Sequence, residues 1–180
     1  MNDKNIEAEA RSFISEEKYF ELLSFFKENA KLLKEDNQET LYFDCEQDLR
    51  IQKNDFYAKV WLKSGKVHDD SREELEVKAD KEDYELLEKI FLKIGFKVDI
   101  KWYRKRSEFS WKGMTACLDC TQGYGHIIEL EEMTSESEKE IVHEKLEREL
   151  KKLGVDLTPR EEFEKRYKEY KKNWRELTRR

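Results

Sequence analysis

Three residues near the start of the chain, Glu7, Glu9 and Arg11 in IEAEARSFI, fall two apart. On a β-strand successive side chains point to opposite faces, so all three stand on one side, with Ile6, Ala8 and Ala10 on the other. The same arithmetic recurs downstream. HIIELEEM sets Glu129 and Glu131 on one face and Ile128 and Leu130 on the other, and KWYRKRSEF groups Trp102, Arg104 and Arg106. FYAKVWLK groups Lys59, Trp61 and Lys63, while REELEVK groups Arg72, Glu74 and Glu76 opposite Leu75 and Val77. A two-residue turn at Asn54-Asp55 would place Arg50 directly across from Lys59. Clustered Arg and Lys suit phosphate oxygens, Arg through its planar bidentate fork. Paired carboxylates suit a hard cation such as Mg2+, which is commonly held by one or two carboxylates plus substrate phosphates.

The elements that must position these residues can be read from periodicity. A helix is predicted from about Ser15 to Glu35, with Ser15 as N-cap and Tyr19, Leu22, Leu23, Phe26 and Leu33 as its apolar stripe. A second is predicted from about Lys81 to Ile94, burying Tyr84, Leu87, Ile90, Phe91 and Ile94 and ending at Gly95. The tail reads as two helices broken near GVDLTP, with Pro159 opening the last one. Phe163, Tyr167, Tyr170, Trp174 and Leu177 form an aromatic stripe on that helix, read as core. Strands are expected at IEAEARSFI, LYFDC, LRIQ, FYAKVWLK, REELEVK, KVDIKWYRKRSEFSW, TACLD and HIIELEEM. Eight strands linked largely as hairpins predict an α+β chain built on an eight-stranded antiparallel β-barrel, with a C-terminal helix.

Totals narrow the class. The 180 residues are one domain's worth, 43% are charged, and the 12% of aromatic residues argues against disorder. A formal charge of −6 argues against a nucleic acid polymer as partner. No apolar run suggests a membrane span, and MNDKNIEAEA lacks the apolar core of a signal peptide, so a cytoplasmic location is expected. Cys117 and Cys120 in CLDC have no second Cys or His pair and on a strand would face opposite ways. Together with Cys45 they read as reduced thiols.

For any one strand, a charged face in water is explanation enough. Four helices rich in apolar residues also need strand faces to pack on, however. If they cover the apolar faces from outside, the charges line the inside of the barrel. Such an interior is costly unless a ligand compensates it. Cations for phosphate and carboxylates for metal in one lumen read as a tunnel for metal-bound polyphosphate.

At this point the residues resemble the CYTH superfamily, the triphosphate tunnel metalloenzymes that include class IV adenylyl cyclases and thiamine triphosphatases. Glu7-Ala-Glu-Ala-Arg11 is similar to the family's E-x-E-x-K, with Arg for Lys. LRIQ followed by VWLK resembles its LRIR…LTLK at Arg50 and Lys63, with Gln52 in place of the second Arg. RKRSEF supplies Arg104 and Arg106 of its basic strand. LDCTQGYGHIIELE matches its L-D-x-V-x-G-L-G-x-F-x-E-I-E at Asp119, Gly123, Gly125, Glu129 and Glu131. The likeness spans a strand core of about residues 5–132, with C-terminal helices over about 135–179, and implies a single domain over residues 1–180.

The resemblance implies a Mg2+- or Mn2+-dependent enzyme acting on a polyphosphate-containing small molecule, as monomer or homodimer. Arg11, Arg50, Lys63, Arg104 and Arg106 would hold the triphosphate, and Lys59 would partly replace the charge missing at Gln52. Glu7, Glu9, Glu129 and Glu131 would hold the metal, with Glu7, Asp119 and Glu74 in catalytic roles. Hydrolysis of inorganic tripolyphosphate, a nucleoside triphosphate or thiamine triphosphate is the expected reaction. Cyclisation of ATP to cyclic AMP and pyrophosphate, and non-catalytic polyphosphate or nucleotide binding, are the alternatives.

Overall fold

A computed structural model describes residues 6–63 and 74–179, with only the backbone of Lys63 and Glu74. Arg72 lies outside the described residues. The chain is α+β, with eight strands in one antiparallel sheet. In chain order the elements are β1 (Ile6–Ile14), α1 (Glu16–Asn29), β2 (Lys31–Phe43), β3 (Asp48–Lys53), β4 (Ala58–Lys63) and β5 (Glu74–Ala79). There follow α2 (Tyr84–Lys93), entered through a 3-10 turn, then β6 (Val98–Trp111), β7 (Met114–Thr121), β8 (Gly125–Thr134), α3 (Lys139–Lys152) and α4 (Arg160–Leu177). The strand order is β1-β8-β7-β6-β2-β3-β4-β5. By contacts the chain divides into two compact units. The first is drawn from Met1–Glu35, Arg106–Cys120 and Tyr124–Lys165, and the second from Asp36–Lys105, Thr121–Gly123 and Arg166–Arg180.

In the first unit the helices cover the apolar strand faces. Tyr19, Leu22 and Phe26 of α1 and Leu146 and Leu150 of α3 form one core with Ala8, Ala10, Phe109, Ala116, Leu118, Ile128 and Leu130. Each large side chain fully buried there contributes about 1.5–3 kcal/mol. Ser15 caps α1 as expected, its hydroxyl accepting from the Lys18 amide at 3.1 Å. The start of α4 is tied to β1: the Phe13 amide donates to Thr158 Oγ1, and the Thr158 amide donates to Ser12 Oγ, each at 2.9 Å.

The second unit repeats the logic. Tyr84 of α2 packs with Leu41, Phe43, Ile51 and Ala58, supported by Leu87 and Phe91. Later turns of α4 bury Tyr170 and Trp174, which donate to the carbonyls of Lys101 and Asp99 at 2.8 and 2.9 Å.

Four expectations need correction. Helix α1 ends at Asn29, and Lys31–Glu35 already belong to β2, so Leu33 is half-exposed on a strand. LeuLeuLysGlu suits a helix locally, and strand pairing overrides that preference. Ile90 and Ile94 are exposed, because α2 turns Tyr84, Leu87 and Phe91 inward instead. Leu177 is likewise 41% exposed, in the last turn of α4. Finally, the β3–β4 turn is longer than two residues. The Asn54 amide donates to Tyr57 O at 3.0 Å, and Asn54 Oδ1 accepts from the amides of Phe56 and Tyr57. The register therefore shifts, pairing Gln52 with Lys59 and Arg50 with Trp61.

Candidate functional site

Within the first unit, strand pairing assembles the acidic residues. The β1–β8 register sets Glu9 opposite Glu131 and Arg11 opposite Glu129, with Glu7 opposite Met133. Like charges placed directly across a ladder destabilise it, so the Glu9–Glu131 pairing costs energy unless something positive joins it. Arg11 lies 3.3 Å from Glu9 and stacks its guanidinium 5.0 Å from the Phe163 ring.

Arg106 of β6 joins the acidic residues of β7 and β8. Its fork donates to both oxygens of Asp119 on β7, at 2.8 and 2.9 Å, and to Glu129 Oε1 at 2.8 Å, with Glu131 3.7 Å away. Burial disfavours this charge, but the carboxylates of Asp119 and Glu129 outweigh it and hold the guanidinium's pKa well above its ordinary value. Asp119 is thus the group that fixes Arg106. Glu131 is pushed up to about 10, first by burial, then by the hydrogen bond and negative charge of Glu129, with Arg106 only partly opposing. Near neutral pH it therefore keeps a proton between the two carboxylates.

Cys117, read from the sequence as a reduced thiol, is a free cysteine and also stands in this site. It is 1% exposed on β7 and donates to Glu131 Oε1 across 3.7 Å. Its sulfur and one oxygen each from Glu129 and Glu131 lie within 4.8 Å of one another. The signal was present, since Cys117 stands two residues before Asp119 and so shares its face. The donor set fits a divalent cation. Two converging carboxylates offer hard oxygen ligands, and the proton now between them occupies a place a cation could take.

In the second unit the polar face is held by a different network. Asp48 clamps Arg50, accepting at Oδ1 from Nε at 2.6 Å and at Oδ2 from the Nη2 group. The Arg50 guanidinium also lies 4.3 Å from the Tyr42 ring and 5.5 Å from that of Trp61. Lys59 pairs with Glu76 at 2.7 Å and sits 4.3 Å from the Trp61 ring. Gln52 is buried and donates to Thr40 Oγ1 at 2.8 Å and Gln38 Oε1 at 3.3 Å. Gln38 Oε1 in turn accepts from Arg104 Nε at 2.9 Å and Nη2 at 2.5 Å. The residue replacing a family arginine therefore anchors the acceptor that orients another.

Asp48, Gln38 and Thr40 were missed, although Asp36, Gln38 and Thr40 alternate at period two in EDNQET. Lys63 and Glu74 face each other in the β4–β5 ladder, and their side chains lie outside the described residues.

Comparisons with known proteins bear on the chain as a whole. The family model described as CYTH domain matches residues 5–161. A Methanocaldococcus jannaschii protein bearing the name "Putative adenylate cyclase" is 34% identical over 137 residues, covering 69% of this chain and 77% of that one. The solved structure of the PH1819 protein of Pyrococcus horikoshii superposes with TM-score 0.72 at 26% identity, over 86% of this chain and 93% of that one. A Hippeastrum protein, described as an adenylyl cyclase candidate with a dominant triphosphatase activity, superposes with TM-score 0.62 at 23% identity, covering 83% of this chain and 88% of that one.

Proposed function

The chain belongs to the CYTH domain family, and from that premise we propose that it is a divalent-metal-dependent hydrolase of a triphosphate. The observation that carries this reading is the acidic face of the first unit, where Glu9, Glu129 and Glu131 are brought into register around a pinned Arg106. Simple phosphate capture needs cations alone. Carboxylates in such number would repel the substrate unless metal accompanied it.

Bound Mg2+ or Mn2+ would polarise a phosphoryl oxygen and acidify a coordinated water. Glu129 and Glu131, with Glu7 and Glu9, would hold that ion. Arg106, oriented by Asp119, would stabilise charge developing on the transferred phosphoryl group without reorganising. Arg11 in the first unit, and Arg50, Lys59, Lys63 and Arg104 in the second, are the further cations suited to phosphate oxygens. Both oxygens of Asp119 accept from Arg106, which makes it a positioning group, so Glu7 and Glu74 remain as water-orienting carboxylates.

Cyclisation is the second reading, favoured by the name of the Methanocaldococcus relative. It requires a platform for the base and a fixed ribose. Trp61 is buried beside Arg50 and Lys59, and Trp102 is already packed edge-on against Tyr170 at 4.8 Å. Both indoles are thus already engaged by side chains of this chain.

The test is turnover of tripolyphosphate, ATP and thiamine triphosphate with Mg2+, Mn2+ or chelator, repeated on Glu129→Gln. Metal-dependent phosphate release is expected, falling at least about tenfold in the variant, or about 1.4 kcal/mol on the barrier. Release that persists in chelator, or survives in Glu129→Gln, would refute the reading.

A further inference from the structure

We propose that Cys117 converts the Glu129–Glu131 pair into a mixed thiolate–carboxylate site that takes a soft divalent ion of the Zn2+ or Cd2+ class. The proposal deepens the reading above, resting on its assignment of cations to this carboxylate face. The three donors come from adjacent strands, with Cys117 on β7 and Glu129 and Glu131 on β8. Their ligand atoms lie within 4.8 Å of one another.

Around a tetrahedral Zn2+, a sulfur and an oxygen ligand stand about 3.6 Å apart, given metal–ligand bonds near 2.3 and 2.1 Å. The Cys117 Sγ to Glu131 Oε1 distance of 3.7 Å already matches. Only small side-chain adjustments would close the rest.

Charge points the same way. Arg106 is shared between Asp119, which takes its fork bidentately, and Glu129, with Glu131 3.7 Å away, so one positive charge faces three carboxyl groups. Cys117 donates to Glu131, and a divalent ion that displaced this proton would be balanced by a thiolate and two carboxylates. Thiolate is a soft donor. It adds nothing for Mg2+ and strengthens binding of Cd2+ and Zn2+. Binding would release to solvent the thiol proton and the proton held between the carboxylates.

The other cysteines are placed differently. Cys120 packs on the apolar core, and Cys45 donates to the Gln47 carbonyl at 2.9 Å.

The experiment titrates Cd2+ into the Cys45→Ser/Cys120→Ser double variant, which keeps Cys117 alone, and follows the ultraviolet thiolate-to-metal charge-transfer band. Calorimetry measures Cd2+ and Mg2+ affinity in parallel. The band should saturate at about one ion per chain, and adding Cys117→Ala should abolish it and weaken Cd2+ about tenfold or more, with Mg2+ affinity changed far less. Cys117→Ser should behave as Cys117→Ala does, guarding against a packing defect in either. No band in the double variant, or equal Cd2+ affinity without the thiol, overturns the proposal. Failure of tripolyphosphate hydrolysis would refute the catalytic reading instead, because the charge-transfer band is independent of turnover.

Discussion

Glu131 is the residue at which the energetics of the acidic face can be measured. An ordinary glutamate loses its proton near 4.5, and here burial and Glu129 raise that value to about 10. Between those values the folded protein holds a proton that the unfolded chain has released. The stability linked to that proton is complete below about pH 4.5 and is lost as pH rises toward 10. Metal-free protein should therefore lose stability between about pH 6 and pH 9, and Glu131→Gln, which has no proton to lose, should show a shallower decline. Denaturant unfolding in chelator measures both. Equal slopes would mean that Glu131 is ionised in the folded state and that the two carboxylates do not share a proton.

Strand elements set which residues meet, and here local and non-local information part company. Alternation put Glu7, Glu9 and Arg11 on one face, and likewise Glu129 and Glu131, because a period of two is a property of the strand itself. Register is not. Arg50 meets Trp61 instead of Lys59 because Asn54 folds its own side chain under the following amides and lengthens the turn. The β2 extension back to Lys31 was equally hidden, since KLLKED carries no break after the helix and only pairing distinguishes the two states. Asn54→Ala removes the acceptor for two backbone amides and should cost about 1–2 kcal/mol, read as a lower denaturation midpoint with an unchanged slope. An unaltered midpoint would show that water replaces the side chain freely and that the turn does not depend on it.

At the scale of the whole molecule, two units each place helices on the apolar strand faces and leave the charged faces to the site residues. That packing of helices on apolar strand faces was legible because aromatic helices and apolar strand faces had to find one another, and the ordered family motifs pointed to the same eight strands. Partners of the cations were not legible, because Asp48 clamping Arg50 and Gln52 supporting Gln38 arise from side-chain geometry that spacing alone does not encode. What the assembly does follows from where its specific contacts lie. On the proposed reading, every group assigned to the site would address phosphate oxygens or a metal ion, or hold a side chain that does. Cyclisation would also require the ribose hydroxyl to be held in line with the α-phosphate, where an error of about 1 Å can cost a hundredfold in rate. Chromatography of the products formed from ATP with Mg2+ or Mn2+, alongside tripolyphosphate, therefore bears most directly on the central claim. The account predicts ADP and phosphate from ATP, with tripolyphosphate cleaved at least as efficiently by kcat/KM. Cyclic AMP and pyrophosphate as the main products, with tripolyphosphate acting only as an inhibitor, would contradict it.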